Sequence, residues 1–347
     1  MKSVTEFPVV GVIGGGQLAR MMQPPAVALG IELKLLADNQ HDSAARVIPH
    51  TVLGDYRDLD TLMEFARGCA VITFDHEHVP TEHINALVAA GVSVQPGAAA
   101  LVHAQDKRVM RERLSGLNIP SPRWSSVVTA DDVDAFAEAT VSLGEAEGYP
   151  LVLKATRGGY DGKGVWLVGS HDEAAQVLSH GEVPGFIVEE AVDFSRELSA
   201  VVVRSPSGQA VSYPVVETVQ VDGICREVYA PAAISSEHAM AAQEIALRIA
   251  GELGVTGVLA VEMFDTSEGV LVNELAMRPH NSGHWSIEGA VTSQFENHLR
   301  ATLDLPLGDP TPVAPHAVLV NVLGGDLPDL YPAYLHCLAH DPGLKIH

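Results

Sequence analysis

The chain has 347 residues, a formal charge of −23 at pH 7, 47% hydrophobic residues and 5% aromatic residues. That length exceeds what one core usually serves, so two or three domains are expected, their cores built from Val, Leu, Ile and Ala. The acidic balance excludes a nucleic-acid binder, no run of about 18 apolar residues offers a membrane span, and the start MKSVTEFPVVGVIGGG lacks a signal peptide's cleavage region.

Small anions remain open as ligands, since they need only a few local cations, backbone N–H groups or a metal. Cys69, Cys225 and Cys337 are odd in number and far apart, which gives no disulfide or zinc pattern and predicts reduced, buried thiols in the cytoplasm.

In chain order, the first hundred residues alternate strands and helices. PVVGVIG (8–14) reads as a strand, followed by a glycine turn and a helix through Gln17–Met22 that Pro24-Pro25 should break or kink. IELKLLAD (31–38), TVLGD (51–55) and AVITFD (70–75) read as strands, with helices over 58–67 and 81–91. The alternation predicts a parallel sheet covered on both faces. Next, LVHAQDKRVMRERLSGLNIP (101–120) reads as one helix, and 131–140 as another. YPLVLKA (149–155), VWLV (165–168), GFIVEEAV (185–192) and RELSAVVVR (196–204) read as strands, and 239–254 as a helix with a glycine cap. VLAVEMF (258–264) and GVLVNEL (269–275) read as a hairpin, and the tail holds the strand AVLVNVLG and a helix near 334–339.

Glu262 and Glu274 each interrupt an apolar strand, where an unpaired ionised carboxylate is costly to bury. With period two, Glu262 shares a face with Ala260 and Phe264, and Glu274 with Val272. A hairpin centred near Glu268 would set the carboxylates opposite each other, and like charges so placed destabilise a sheet. Two resolutions stay open: basic partners for each, or a shared Mg²⁺ that bridges to phosphates. Lys154 either snorkels to solvent or serves the loop that follows, Arg157-Gly158-Gly159-Tyr160-Asp161-Gly162-Lys163-Gly164. The glycines let backbone N–H groups approach phosphate oxygens, although a mobile surface loop has the same composition. The Walker spacing is absent. Glu189-Glu190-Ala191-Val192 leaves a strand where main chain could meet an adenine edge. The run Asn273–Trp285 packs Arg278, His280 and His284 among polar neighbours, an arrangement that core packing does not require.

Together these residues resemble the ATP-grasp superfamily, and within it the 5-(carboxyamino)imidazole ribonucleotide synthases of purine biosynthesis. The resemblance runs in order through GGGQLARMM (14–22), FDHEHVP (74–80), QDK (105–107), PLVLKATRGGYDGKG (150–164), EEAVDFSREL (189–198), YPVVETVQVDGIC (213–225), LVNELAMRPHNSGHW (271–285) and SQFENHLRA (293–301). It implies an α/β and α+β molecule. An N-terminal Rossmann-like parallel-sheet domain (1–100) precedes an ATP-grasp domain (101–305) whose glycine-rich flap is 157–164, and a small C-terminal domain (306–347) follows. By position, Lys107 and Lys154 would contact the phosphates of ATP, under a flap containing Gly159, Tyr160, Asp161, Gly162, Lys163 and Gly164. Glu189, Glu190, Ala191 and Val192 would bind adenine and Glu197 the ribose, with Gln220, Asn273 and Glu274 also on the nucleotide. Glu262 and Glu274 would hold Mg²⁺, or Mn²⁺ in its place. Gly15, Gln17, Leu18, Glu77 and Tyr160 would hold aminoimidazole ribonucleotide. Arg278 and His280 would bind bicarbonate or the species made from it, and Asp161 would position Arg157 or a proton.

The implied reaction phosphorylates bicarbonate and passes the carboxyl group to the ribonucleotide's amine, in a cytoplasmic homodimer. Gln220, Asp75-His76 and Met277 depart from commoner family residues. The family continues into a basic tail, whereas this sequence stops at Leu344-Lys345-Ile346-His347 as a strand is expected to begin. A competing reading is a nicotinamide-dependent oxidoreductase: Gly14-x-Gly16-x-x-Ala19 follows a strand, and Asp38 ends the next one. It leaves Glu262, Glu274 and the second glycine loop unexplained. The same residues also admit an ATP-grasp enzyme with a different acceptor, such as glycinamide ribonucleotide, and a non-catalytic nucleotide sensor.

Overall fold

The computed structural model describes residues 7–142, 148–159, 162–179, 184–324 and 329–347, so Tyr160 and Asp161 lie outside the described residues. The expected alternation at the start builds a four-stranded parallel sheet. Its strands are β1 (Val9–Ile13), β2 (Glu32–Ala37), β3 (His50–Leu53) and β4 (Val71–Phe74), in the order β3-β2-β1-β4. Val10, Val12, Leu33 and Leu35 are buried on one face, and Ile13, Leu36, Ile72 and Phe74 on the other, as expected of a sheet covered on both sides.

Two antiparallel sheets follow. The smaller contains β5 (Trp124–Val127), β6 (Leu151–Ala155), β7 (Val165–Val168) and β8 (Phe186–Glu190), ordered β5-β8-β6-β7. Leu151, Leu153, Phe186 and Val188 pack on residues of helices Ala130–Ser142 and His171–Leu178. That packing leaves Val152, Lys154 and Glu189 on the opposite face. The larger sheet contains β9 (Arg196–Arg204), β10 (Ala210–Ser212), β11 (Val216–Val221), β12 (Ile224–Ala230), β13 (Gly257–Thr266), β14 (Gly269–Ala276) and β15 (Ala317–Val320). Its order is β14-β13-β9-β11-β12-β15, with β10 on β9. Helix Ser236–Glu252 covers one face through Ala242, Ala246 and Ile249, which meet Leu198, Ala200 and Val261.

Several local expectations are corrected. Of the break or kink expected at Pro24-Pro25, the break does not occur: the first helix runs Gln17–Leu29, and Met22 and Ala26, on either side of the prolines, are both fully buried and hold the helix to the sheet. The segment 101–120 is two helices, Ala98–Gln105 and Lys107–Gly116. Asp106 is extended between them, and its carboxylate accepts from the N–H groups of Arg108 and Val109 as the N-cap of the second. Of the cysteines only Cys225 is buried; Cys69 is half-buried and Cys337 exposed, on a C-terminal helix, Tyr331–His340, that buries nothing. Residues 344–347 form no strand.

Candidate active site

The two antiparallel sheets face each other across a cleft of about 1280 Å³ that the N-terminal sheet closes at one end. Its walls carry Val152, Lys154 and Glu189 from the small sheet, and Glu197, Glu262, Phe264 and Glu274 from the large one. Gly158, Gly159 and Gly162 overhang it, and Gln17, Asp75 and Glu77 line the N-terminal side.

Glu262 and Glu274 are direct partners in the β13–β14 ladder, as the hairpin reading expects. The route to that pairing differs. Continuing the register from Thr266–Gly269 without interruption would set Glu262 against Asn273, but the register shifts at Glu262/Met263, so that Asn273 is an extra residue in a β-bulge. Glu274 therefore does not share a face with Val272: Val272 is wholly buried in the core beside Val261 and Met263, whereas Asn273 and Glu274 both line the cleft. Glu262 does keep company with Ala260, and Phe264 lines the cleft beside it.

Basic groups meet this acidic pair unequally. Lys107 binds the Glu274 carboxylate, and the pKa of Glu274 is lowered because Lys107 and Lys154 outweigh its burial. Among the described residues no lysine or arginine forms an ion pair with Glu262, and burial, Glu274 and Glu197 push its pKa up to about 8. Two oxygen-ligand side chains facing each other, one of them resisting ionisation because it is buried beside other carboxylates, fit a hard divalent cation such as Mg²⁺.

Lys154 reaches back across the small sheet. Its Nζ lies 2.7 Å from Glu189 Oε2 and donates to Asn273 Oδ1 at 2.9 Å. Glu189 is 2% exposed, and its other oxygen accepts from Arg111 Nε at 2.6 Å. Burial opposes ionisation of Glu189, but Lys154 and Arg111 prevail and hold its pKa at about 2. Its carboxylate is thus committed to two cations, Lys154 and Arg111. Arg111, fully buried behind this wall, is a residue that sequence reading missed. Its signal was phase: it lies one turn after Lys107, between buried Met110 and Leu114, so its charge falls on the helix's buried side.

Glu77 and Arg278 bridge the N-terminal sheet and the large sheet. Glu77 accepts from Arg278 Nε at 2.7 Å and from the Met277 N–H at 3.2 Å. His280 caps the short helix Asn281–Gly283; the Ser282 N–H donates to its Nδ1, which puts the ring proton on Nε2, 3.4 Å from Glu262 Oε1. Burial, with Arg278 and His284 nearby, lowers its pKa to about 3, so the imidazole is neutral. Gln294 holds the His280 backbone at both N–H and C=O. Glu197 and Gln220 line the cleft together, hydrogen-bonded to each other, and Glu190, Ala191 and Val192 lie near them beside the stacked pair Phe194–Phe264.

Not every expected residue is on the cleft wall. Gly164 backs the flap, its carbonyl accepting from the Ala155 N–H. Gly15 packs toward Asp42 and Ala37 instead; a Cβ there would come within 2.6 Å of Asp42 Oδ2. Gln17 and Leu18 line the cleft, and Gln17 donates to Asn281. The glycines of the first loop serve an internal carboxylate. Asp75 accepts from the N–H groups of Gly16 at 2.8 Å and Ala19 at 2.7 Å, and any Cβ on Gly16 would sit 2.3 Å from it. The helix N-terminus that a dinucleotide's pyrophosphate would use is already filled by this side chain, which removes the physical basis of the oxidoreductase reading.

A cleft between two antiparallel sheets, roofed by a glycine loop and floored by paired carboxylates and Lys154, with Lys107 bound to Glu274, is the arrangement of an ATP-grasp enzyme. Family models agree: residues 112–295 match the ATP-grasp domain and residues 7–105 the ribonucleotide synthetase preATP-grasp domain. The chain is 51% identical to the N5-carboxyaminoimidazole ribonucleotide synthase of Mycobacterium leprae, over 98% of this chain and 80% of that protein. Among solved structures, the corresponding synthetase of Thermus thermophilus is 37% identical with a TM-score of 0.83, covering 92% of this chain and 84% of that one. The Aspergillus clavatus enzyme in complex with ADP and 5-aminoimidazole ribonucleotide is 33% identical with a TM-score of 0.85, covering 99% and 89%. The chain belongs to the N5-carboxyaminoimidazole ribonucleotide synthase family. It is an ATP-dependent carbon–nitrogen ligase of purine biosynthesis. No helix among the described residues is long and apolar enough to cross a membrane.

Proposed function

We propose that this cleft carries the ligation of bicarbonate to the amine of 5-aminoimidazole ribonucleotide through the residues gathered on its walls. The observation that carries the assignment is the pair Glu262–Glu274, set face to face by the bulge with Lys107 and Lys154 beside it. Bicarbonate is a poor electrophile until it has a leaving group. In the first step one of its oxygens attacks the γ-phosphorus of ATP, the bond to the β-phosphate oxygen breaks, and ADP and carboxyphosphate result. In the second step the amine nitrogen bonds to the carboxyl carbon, directly or after release of CO₂, phosphate departs, and the amine gives up a proton.

Lys107 and Lys154 supply fixed positive charge for the phosphates. Arg278, oriented by Glu77, holds the bicarbonate oxygens, and neutral His280 offers its Nε2–H as a donor beside them. Glu262 and Glu274 would hold Mg²⁺, or Mn²⁺ in its place; when bound, the ion neutralises charge on the transferring phosphoryl group. The flap, including Tyr160 and Asp161, excludes water that would hydrolyse carboxyphosphate. Residues 1–100, 101–305 and 306–347 are taken as the three units of a cytoplasmic homodimer. The test is ADP release with ATP, Mg²⁺, bicarbonate and the ribonucleotide, each omitted in turn. Loss of turnover on every omission is expected; turnover independent of bicarbonate would overturn the assignment.

A further inference from the structure

We infer that Arg111, fully buried behind the cleft, is the positioning residue that aims the carboxylate pair by clamping the β14 bulge. The inference rests on the reading of Glu262 and Glu274 as a cation site. In an unbroken strand, successive carbonyls point to opposite edges. Here the carbonyls of Val272 and Asn273 both accept from one guanidinium, from NH1 and NH2, each at 2.8 Å. That convergence is the bulge itself, seen from its outer edge. β14 is the edge strand of its sheet, so no neighbouring strand would otherwise satisfy these carbonyls. The Val272 N–H on the same edge donates to the Pro120 carbonyl at 2.8 Å.

The remaining guanidinium nitrogen, Nε, donates to Glu189, which lies 2.7 Å from Lys154 Nζ; Lys154 in turn donates to Asn273 Oδ1. Arg111 therefore fixes the bulged residue twice, through its backbone and, by way of Glu189 and Lys154, through its side chain. A planar fork with donors at fixed angles can hold two carbonyls and a carboxylate at once, whereas a lysine ammonium has neither the reach nor the geometry. Without the clamp the extra residue is free to shift along the strand. A shift of one place turns the carboxylate of Glu274 toward the side occupied by Val272. Arg111 touches neither nucleotide nor bicarbonate; it acts through Asn273 and Glu274.

Mn²⁺ binding in the presence of ADP, followed by electron paramagnetic resonance without turnover, reads the effect directly. Arg111→Lys keeps the charge and removes the fork. It is expected to weaken Mn²⁺ binding by about tenfold or more and to speed amide exchange at Asn273 and Glu274. Arg111→Gln is the second variant, with the same expectation, should the lysine variant not fold. Wild-type Mn²⁺ affinity in either folded variant overturns the inference. The unmodified chain offers an independent check: if Arg111 already holds the bulge, adding Mn²⁺ and ADP leaves exchange at 272–274 essentially unchanged. Strong protection appearing only with the ion would overturn the inference, because the ion would then set the bulge. Glu274→Gln in the same titration separates the two ideas. If it binds Mn²⁺ normally, the cation site is misassigned; if it loses Mn²⁺ while Arg111→Lys keeps it, only the role of Arg111 fails.

Discussion

His298 shows how much one side chain can join. Its Nδ1 accepts from the Val258 N–H on β13, and its Nε2–H donates to Thr73 Oγ1 on β4, so a single imidazole ties the large sheet to the N-terminal one. Burial lowers its pKa to about 3. The unfolded chain takes up this proton below about pH 6.5 while the folded one does not, so this contribution to stability is complete above that pH. It is lost as pH falls toward the folded value, with a slope of roughly 1.4 kcal/mol per pH unit. Urea titrations of His298→Gln should show a shallower acid loss in that window, at a cost of about 1–3 kcal/mol near neutrality. Glu274→Gln should cut Mg²⁺-dependent ADP formation by at least about 100-fold, more than loss of an outer partner does, while circular dichroism stays unchanged. At this scale sequence reading found most of the cleft, because carboxylates and lysines inside apolar strands stand out. It missed Asp75, whose partners are backbone N–H groups far away in sequence, and Arg111, whose helical phase places it on the buried side but whose partners, Glu189 and two β14 carbonyls, no local pattern announces.

Elements were legible wherever apolar period alone decided them, as with β9, read as 196–204 and found at Arg196–Arg204. They were misread where a side chain or tertiary contact overrode the local signal. Nothing in the periodicity of 101–120 marks the break at Asp106, which depends on that residue capping the second helix and accepting from Arg157 Nε at 2.8 Å. Asp106→Ala should cost about 0.5–2 kcal/mol of stability for the lost cap, measurable by chemical denaturation. Pro24 and Pro25 gave a sound local expectation of a helix end that packing on both sides defeats. Pro24 is exposed, so replacing it should remove strain without disturbing the core. Pro24→Ala is expected to raise stability by about 1–3 kcal/mol, on calorimetry, since proline is the poorest residue in a helix interior.

Across the whole molecule, alternating β and α signals identified the parallel sheet, and long antiparallel strands identified the remainder. What pattern could not supply was which sheet faces which, since that depends on contacts such as Arg111 with Asn273 and Glu77 with Arg278. Because the cleft draws on both antiparallel sheets, a nucleotide bound there stabilises the fold as a unit. At a concentration 100 times its dissociation constant, ADP with Mg²⁺ should add roughly 2.7 kcal/mol, seen as a rise in thermal midpoint. The part of that rise that depends on the ion should vanish in Glu274→Gln.

The extra residue in β14 also bears on how this chain can vary. Exchanging one apolar residue for another between Gly269 and Val272 alters volume and little else. Losing or gaining a single position there inverts inside and outside for everything up to the bulge, and with it the destination of the acidic side chain beyond. Insertions and deletions in this ribbon are therefore a graver hazard to drift, and to anyone redesigning the hairpin, than most replacements within it.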